Sequence, residues 1–402
     1  MARPRCSCCL IFLIAFAVLA AMFALLPGTL VRCGSSGADF LPTERGGSNG
    51  PLKRKQRRRL AEGNGALAPR KRARMAYFIM AGGASEVRKL KRMLPVIYSE
   101  DNYYLVHLDR KTALSDRENL RAYLGAFEKG NAMLLEPALT VSWGGFSITL
   151  AAIFGLASAV QWFPEWDYFI NLSASDFPLL TQPEIAEVLG AVKDHGVSFV
   201  KGAPLEPRFE RRVTRYIDDQ GLYRDKFTRQ PMNPLRTGVF KGEFWVVLHR
   251  SYAEYLTESP DNVARMLMTY FSKFRISDES YFQTVACHPS APESTRICGD
   301  YLRQINWPQL LRGQTYRLHP KPISADQVFT FLSSGALFAR KFDLEVPASA
   351  AAMDRIEELL KDSSRSAARV ERSLARINNA TEIIDRSSFC NSTGEWVKPA
   401  QI

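Results

Sequence analysis

MAYFIMAGGASEVRKLKRMLPVIYSEDNYYLVHLD, residues 75–109, is the stretch on which the fold turns. Met75–Ala81 is an apolar strand closed by Gly82-Gly83. Glu86–Tyr98 then repeats its apolar residues at helical spacing, through Val87, Leu90, Leu94 and Ile97, with cations on the other face. Tyr103–Leu108 is a second strand and ends on Asp109. Outward from there the pattern continues. Ala132–Leu135 is a short strand, Phe146–Trp162 an apolar-rich helix, and Tyr168–Leu172 a strand closed by Ser173–Pro178. Strand alternating with helix predicts an α/β fold with a mixed, mostly parallel central sheet flanked by helices.

The second half mixes the two more loosely. Val197–Val200 and Phe244–Leu248 are expected strands, and Ser251–Leu256 and Asn262–Phe274 expected helices. A further helix is expected over Ile276–Val285, with Ser277 as its cap and Asp278 and Glu279 in its first turn. A basic, Pro-rich loop leads into Ala336–Phe342, and Ala350–Leu360 is helical. The folded domain is thus expected over residues 75–345, followed by a helical and polar extension, 346–402, ending in a loosely packed tail.

Before residue 75 the chain has another character. Leu10–Leu26 carries no charge, Gly or Pro, and is expected to be the centre of a transmembrane anchor spanning 8–31. The alternative is a cleaved signal peptide, whose apolar core is usually shorter. Arg3 and Arg5 in the 1–7 tail favour a cytosolic N-terminus and place the rest in the lumen. Residues 32–74 are rich in Gly, Ser, Pro, Lys and Arg, as a disordered basic stem would be. The stem carries much of the formal charge of +12. Behind a membrane anchor its KRKQRRR and RKRAR runs are a spacer or processing site, so no nucleic-acid partner is expected. Cys287 and Cys298 are close in sequence with two prolines between them, and a disulfide is expected there, the alternative being two buried thiols. Asn379 and Asn391 are candidate N-glycosylation sites, whereas Asn171 sits in an apolar strand and is expected to be buried and unmodified.

Ligands of open α/β sheets bind beyond the carboxyl ends of the strands. Two strands run into acids there, Asp109 and Asp176, although Asp also caps helices. Walker and His-Glu-x-x-His signatures are absent, and none of the five histidines is spaced as a metal pair. Asp-x-Asp, with which many nucleotide-sugar enzymes hold a cation against a diphosphate, occurs nowhere in the 402 residues. Any diphosphate must then be neutralised by side-chain cations, and Arg340-Lys341, set between Phe338 and Phe342, is the candidate. Glu279 is the candidate general base, with Asp278 beside it as the alternative.

Seven segments, in order, carry a family resemblance: VHLDRKT (106–112), SWGGFSIT (142–149), FINLSASDFPLLT (169–181), GLY (221–223), FKGEFWVVLHRSYAEYL (240–256), ESYFQTV (279–285) and LFARKF (337–342). Together they resemble glycosyltransferase family 14, the core-2/I-branching, peptide O-xylosyltransferase and plant-type β-glucuronosyltransferase family. IDDQGLY, PDNVARMLMTYFSKF and ESYFQTV are most similar to the plant branch. The resemblance implies a GT-A-type nucleotide-sugar-binding fold and a metal-independent, inverting, Golgi-resident enzyme without cofactor. That enzyme would move xylose, glucuronic acid or N-acetylglucosamine from a UDP-sugar to a glycan or glycoprotein. It implies Asp109 near the uridine, Asp176 near the donor sugar, Glu243 and Trp245 on the acceptor side, Glu279 as base, and Arg340 and Lys341 on the diphosphate. The chain departs from the plant pattern at Cys298-Gly-Asp-Tyr-Leu, where Asn-His-Asp-Leu is usual, and at Gly242-Glu243, where Gly-Ser is usual. A carboxylate at Glu243 bears directly on acceptor choice. The other class of function compatible with these residues is a membrane-anchored binding protein that keeps the fold without turnover.

Overall fold

The computed structural model describes residues 71–205, 215–218, 221–224, 238–292, 296–308 and 319–380. The expected anchor, nearly all of the stem, and Asn391 lie outside these residues. Among the described residues no helix is long and apolar enough to cross a membrane.

The first strand, β1 (Met75–Ala81), lies inside a seven-stranded sheet and is buried almost throughout. Its successive side chains point to opposite faces, so an apolar run is what such a position demands. Tyr77, Ile79 and Ala81 enter one core. Ala76 and Phe78 enter another, on the opposite face. β1 pairs in parallel with β2 (Tyr103–Leu108) and β4 (Tyr168–Ser173), and β2 pairs in parallel with β3 (Ala132–Leu134). Aromatic neighbours lock the register on both faces: Tyr77 stacks on Tyr104 at 5.3 Å and Phe78 on Phe169 at 6.1 Å.

Helices α1 (Gly83–Ile97) and α2 (Leu114–Gly125) bury Leu90, Leu94, Leu120 and Leu124 in the first core. Helix α3 (Ser147–Trp162) covers the second face. It presents small residues, Ala151, Ala152, Gly155 and Ala159, and so lies close to the sheet. At Gly155 the fit is tight, since an added Cβ would stand 2.2 Å from the Phe78 ring.

After β5 (Asp176–Pro178) and α4 (Gln182–Gly190), strand β6 (Val197–Phe199) joins the sheet. The sheet order is β12-β6-β11-β4-β1-β2-β3, with β11 (Val247–His249) antiparallel to β4 and β6, and β12 (Arg296–Cys298) parallel to β6. The sheet is therefore mixed and mostly parallel, as expected from the sequence. β7 (Gly202–Pro204) pairs with β10 (Phe240–Gly242) as a short ribbon, and β8 (Arg215–Asp218) with β9 (Gly221–Arg224) as another. Helices α5 (Arg250–Glu258), α6 (Val263–Phe271) and α7 (Tyr281–Ala286) follow on the α3 side. A second, three-stranded sheet joins β13 (Arg303–Ile305), β14 (Phe338–Arg340) and β5. Helices α8 (Val328–Leu332), α9 (Pro347–Lys361) and α10 (Ser366–Ala380) complete the first core.

Several expectations change. Ile276–Val285 is not one helix: a 3₁₀ turn, Ser277–Glu279, precedes α7, and Ile276 rather than Ser277 occupies the cap position, at φ 56°. The N–H of Ile276 is drawn to the carbonyl of Gly144, 2.8 Å away, which holds the backbone out of helical geometry. Residues 71–74, assigned to the stem from sequence, pack against the domain. Ala73 is buried and donates to the Ala186 carbonyl, while Lys71 pairs with Asp194. The polar tail is not loose up to residue 380: α10 buries Val370 and Ile377 and inserts Arg369 against Glu184 of α4. Cys287 and Cys298 are not joined to each other. Cys287 is disulfide-bonded, whereas Cys298 is a free, buried thiol. The two belong to different cores, on opposite faces of the sheet, so proximity in sequence does not bring them together. Asn171 is buried as expected, and Asn379 is exposed in the last turn of α10.

Gly155→Ala should destabilise the domain by roughly 1–3 kcal/mol through overpacking against Phe78. The check is a thermal or denaturant melt, and a melting point equal to that of the wild type would contradict the close approach of α3.

Candidate active site

Parallel strands that start at one edge of a sheet end together at the other. β1, β2 and β4 end at Ala81, Leu108 and Ser173, and a cleft of about 460 Å³ opens just beyond them. Its floor is Met80, Ala81, His107, Asp109 and Ser173, from these strand ends. The loop between β10 and β11 adds Glu243, Phe244 and Trp245. The 3₁₀ turn adds Asp278 and Glu279, and β14 adds Arg340. The structure thus brings together Asp109, Glu243, Trp245, Glu279 and Arg340, five of the residues singled out from sequence.

Asp109 does not cap a helix. Its carboxylate accepts from the backbone N–H of Lys111 at 2.8 Å and of Val141 at 3.2 Å, which pins the next loop to the end of β2. Arg117 braces the same corner, donating to the carbonyls of Leu108 and Asp109. His107 accepts at Nε2 from the N–H of Leu139, 3.2 Å away, and burial lowers its pKa, so the ring is a neutral acceptor. Glu86, at the start of α1, also faces the cleft and accepts from the N–H of Gly82 at 2.7 Å. Burial raises its pKa above the usual carboxylate range, partly offset by that bond and by Lys89, Lys341 and Arg340.

The loop that carries Glu243 and Trp245 is held by two buried amides. Asn171 of β4 donates to the Phe244 carbonyl at 2.9 Å and accepts from the N–H of Val246 at 2.8 Å. Gln283 of α7 donates to the carbonyls of Glu243 at 2.7 Å and Lys201 at 3.2 Å. Glycine is required in this packing: a Cβ on Gly242 would fall 1.7 Å from the Lys201 carbonyl. Two carboxylates, Glu243 and Glu279, meet on this side. Glu279 lies 3.5 Å from Lys241, while burial, and then the charge of Glu279, raise the pKa of Glu243. Asp278 is buried and also borders the cleft, because the 3₁₀ turn presents both acids to it.

Opposite them stands Arg340, whose guanidinium lies over the ring of Trp245, 3.9 Å from its centroid. Strand pairing explains its position, since β14 runs antiparallel to β5 with Arg340 directly across from Asp176. Asp176 does not line the cleft. It is fully buried behind Arg340, its Oδ2 accepting from the N–H and hydroxyl of Ser173 at 2.6 and 2.7 Å. Lys341 does not line the cleft either: it lies one residue past the end of β14. Its charge acts on Glu86 and Asp343 instead.

The largest omission of the sequence reading is Arg303 on β13. It is fully buried, 3.9 Å from Asp176, with the Trp245 ring centroid 5.4 Å away. Burial brings its pKa down to about 10, Asp176 opposing and Arg340 reinforcing the shift. An arginine inside the short strand Arg303–Ile305, between apolar Leu302 and Ile305, was the signal available. Trp143, Trp307 and His319 on the cleft wall were also missed as site residues. Among the described residues, no group of three or more His, Cys, Asp or Glu side chains is arranged to hold a metal ion.

Comparison of the sequence with known proteins identifies relatives. The model of the Core-2/I-Branching enzyme family matches residues 75–327. Beta-glucuronosyltransferase GlcAT14A of Arabidopsis thaliana is 30% identical over 298 residues, covering 71% of this chain and 64% of that protein. GlcAT14C of the same plant is 30% identical over 278 residues, covering 67% and 70%. Xylosyltransferase 1 of Homo sapiens is 27% identical over 300 residues, covering 69% of this chain and 30% of the relative. The chain thus spans less than two thirds of GlcAT14A and under a third of the xylosyltransferase. The family match reaches from β1 past α7 and takes in Glu243, Trp245 and Glu279, and on that ground the chain belongs to the Core-2/I-Branching enzyme family.

Proposed function

We propose that this protein is an inverting glycosyltransferase that moves a sugar from a UDP-sugar to a hydroxyl of a glycan or glycoprotein, forming a β linkage without a metal ion. The observation that carries the reading is one cleft with Glu279 on one wall and Arg340, stacked on Trp245, on another. In-line displacement needs both ends at once. Glu279 takes the proton of the acceptor hydroxyl as its oxygen attacks the anomeric carbon, and the bond from that carbon to the diphosphate oxygen breaks. The negative charge that develops on the leaving UDP is met by Arg340, a preorganised cation in a partly desolvated place. In this reading the strand ends around Asp109 receive the nucleotide, as in a GT-A fold, and Glu243 and Trp245 face the acceptor. A UDP-sugar donor and the apolar run Leu10–Leu26 together suit a type II protein of the Golgi membrane with its cleft in the lumen. Relatives that bear the names glucuronosyltransferase and xylosyltransferase support the reaction class and leave the donor sugar to be measured.

Incubation of the full chain with UDP-xylose, UDP-glucuronic acid and UDP-N-acetylglucosamine, followed by assay of UDP release, tests this directly. One donor should be consumed, and UDP binding with turnover of none would identify a binding protein instead. Glu279→Gln should lower kcat by roughly 10²–10⁴-fold with little change in UDP affinity. Arg340→Ala should lower kcat/KM by roughly 10²–10³-fold. EDTA should leave the rate unchanged, and strong loss would contradict a metal-independent mechanism.

Glu243 adds a pH dependence. A carboxyl with a raised pKa favours its neutral form in the fold, so its contribution to stability is present at acid pH and lost as pH rises through its folded value. Glu243→Gln should therefore melt above the wild type at pH 7–8, the margin closing as pH falls towards about 4. A pH-independent margin in paired melts would exclude this origin.

A further inference from the structure

Behind the cleft wall, two cations share one anion. The carboxylate of Asp176 faces the guanidiniums of Arg340 and Arg303 and hydrogen-bonds neither. Nη1 of Arg340 is 3.6 Å from Oδ2, and Nε of Arg303 is 3.9 Å from Oδ1. Oδ1 of Asp176, Nε of Arg303, and Nε and Nη1 of Arg340 are all buried without a hydrogen-bond partner. The side chains of Asp176 and Arg303 are wholly inaccessible, and that of Arg340 is 14% exposed. Among these three groups, two positive charges against one negative leave a surplus of one, in surroundings where an uncompensated ion is costly. The other carboxylates that feel Arg340, Glu243 and Glu86, stand in the cleft itself, and burial raises the pKa of both. Arg340 is the member that lines the cleft, so the surplus is offered there.

We infer that Arg303 is a positioning residue for anion capture: it competes with Arg340 for the single carboxylate of Asp176 and so keeps Arg340 from being neutralised inside the protein. The inference rests on the donor-binding reading above and adds to it the source of Arg340's charge. Arg303 does not line the cleft. Its guanidinium lies near the rings of Trp245 and Phe338 and donates to the carbonyls of Tyr301 and Asn171. Strand geometry fixes the arrangement, because Arg340 is directly opposite Asp176 on β5, while Arg303 lies on β13 across β14. Without the charge of Arg303, Asp176 has a single cation left to pair with. Closing 3.6 Å to a charge-assisted hydrogen bond of about 2.8 Å takes less than an ångström. Arg340 would then reach the cleft already paired.

The test is calorimetric titration of the full chain with UDP, inorganic pyrophosphate and uridine. Arg303→Met should weaken UDP and pyrophosphate binding by about tenfold or more and leave uridine binding unchanged. Arg303→Lys, which keeps the charge, should stay within about threefold of the wild type. The double variant Arg303→Met with Asp176→Asn removes both competitor and prize, and should recover pyrophosphate binding to within about threefold. A purely structural role for Arg303 predicts no such recovery. Wild-type affinity for pyrophosphate in Arg303→Met, failure of the double variant to recover, or an Arg303→Lys as weak as Arg303→Met would each overturn the inference. Should Arg303→Met not fold, Arg303→Lys and Asp176→Asn decide: the latter should bind pyrophosphate more tightly than the wild type, and weaker binding overturns the inference. A wild type that holds pyrophosphate but not UDP removes the nucleotide reading and leaves the charge argument standing. One that holds neither overturns the charge argument itself.

Discussion

A strand covered on both faces has no wet side, and it can meet water only where it ends. β1 is such a strand, apolar along its length and flanked on each side by parallel neighbours. Because β2 and β4 run the same way, the three ends coincide, and polar groups excluded from the strands collect beyond them. His107, Asp109 and Ser173 are there for that reason. The helices then follow from the two faces that β1 must bury, with α3 able to lie close only because Gly155 leaves room for Phe78.

The remaining wall is built differently. The small sheet β13-β14-β5 carries charge into the interior, with Arg340 directly opposite Asp176 and Arg303 opposite Phe338, two residues along β14. The loop with Glu243 and Trp245 is held by the amides of Asn171 and Gln283, which satisfy backbone groups that would otherwise be buried unpaired. Precision at the cleft therefore comes from residues outside it. Asn171 joins the two systems, since its side chain ties the loop and its carbonyl receives Arg303.

What was legible in sequence follows the same division. Long apolar strands and amphipathic helices announce themselves by period, so β1, α1, β2, α3 and β4 could be placed without coordinates. Glu279, Arg340 and Trp245 were legible through family motifs, and the structure sets them around one cleft. Arg303 was not, because a three-residue strand shows no period and its significance lies in a partner more than a hundred residues away. Lys341 was expected beside Arg340 on a diphosphate, and it lies one residue past β14, off the cleft. Asp176 was expected in the cleft because it follows the end of a strand, and the turn there sinks it behind Arg340. The Cys287–Cys298 pairing rested on proximity in sequence, and a sheet stands between the two sulfurs. Helices α2 and α10 are mostly polar, and tertiary packing supplies what their sequences do not show.

Arg340 reaches its place only when β14 is laid beside β5, two segments separated by some 160 residues of chain. Helix α10 comes later still, and its Arg369 clasps Glu184, the residue that also closes the capping box of α4. During synthesis from the N-terminus, the strands whose ends floor the cleft exist long before the arginine that stands over them. A nascent chain halted after residue 173 and before residue 340 has a floor to the cleft but no Arg340 over it, and one that reaches Glu184 but halts before residue 369 leaves that carboxylate without its clasp. The order of translation is thereby an assembly sequence, in which Arg340 is the last of the cleft's charges to arrive.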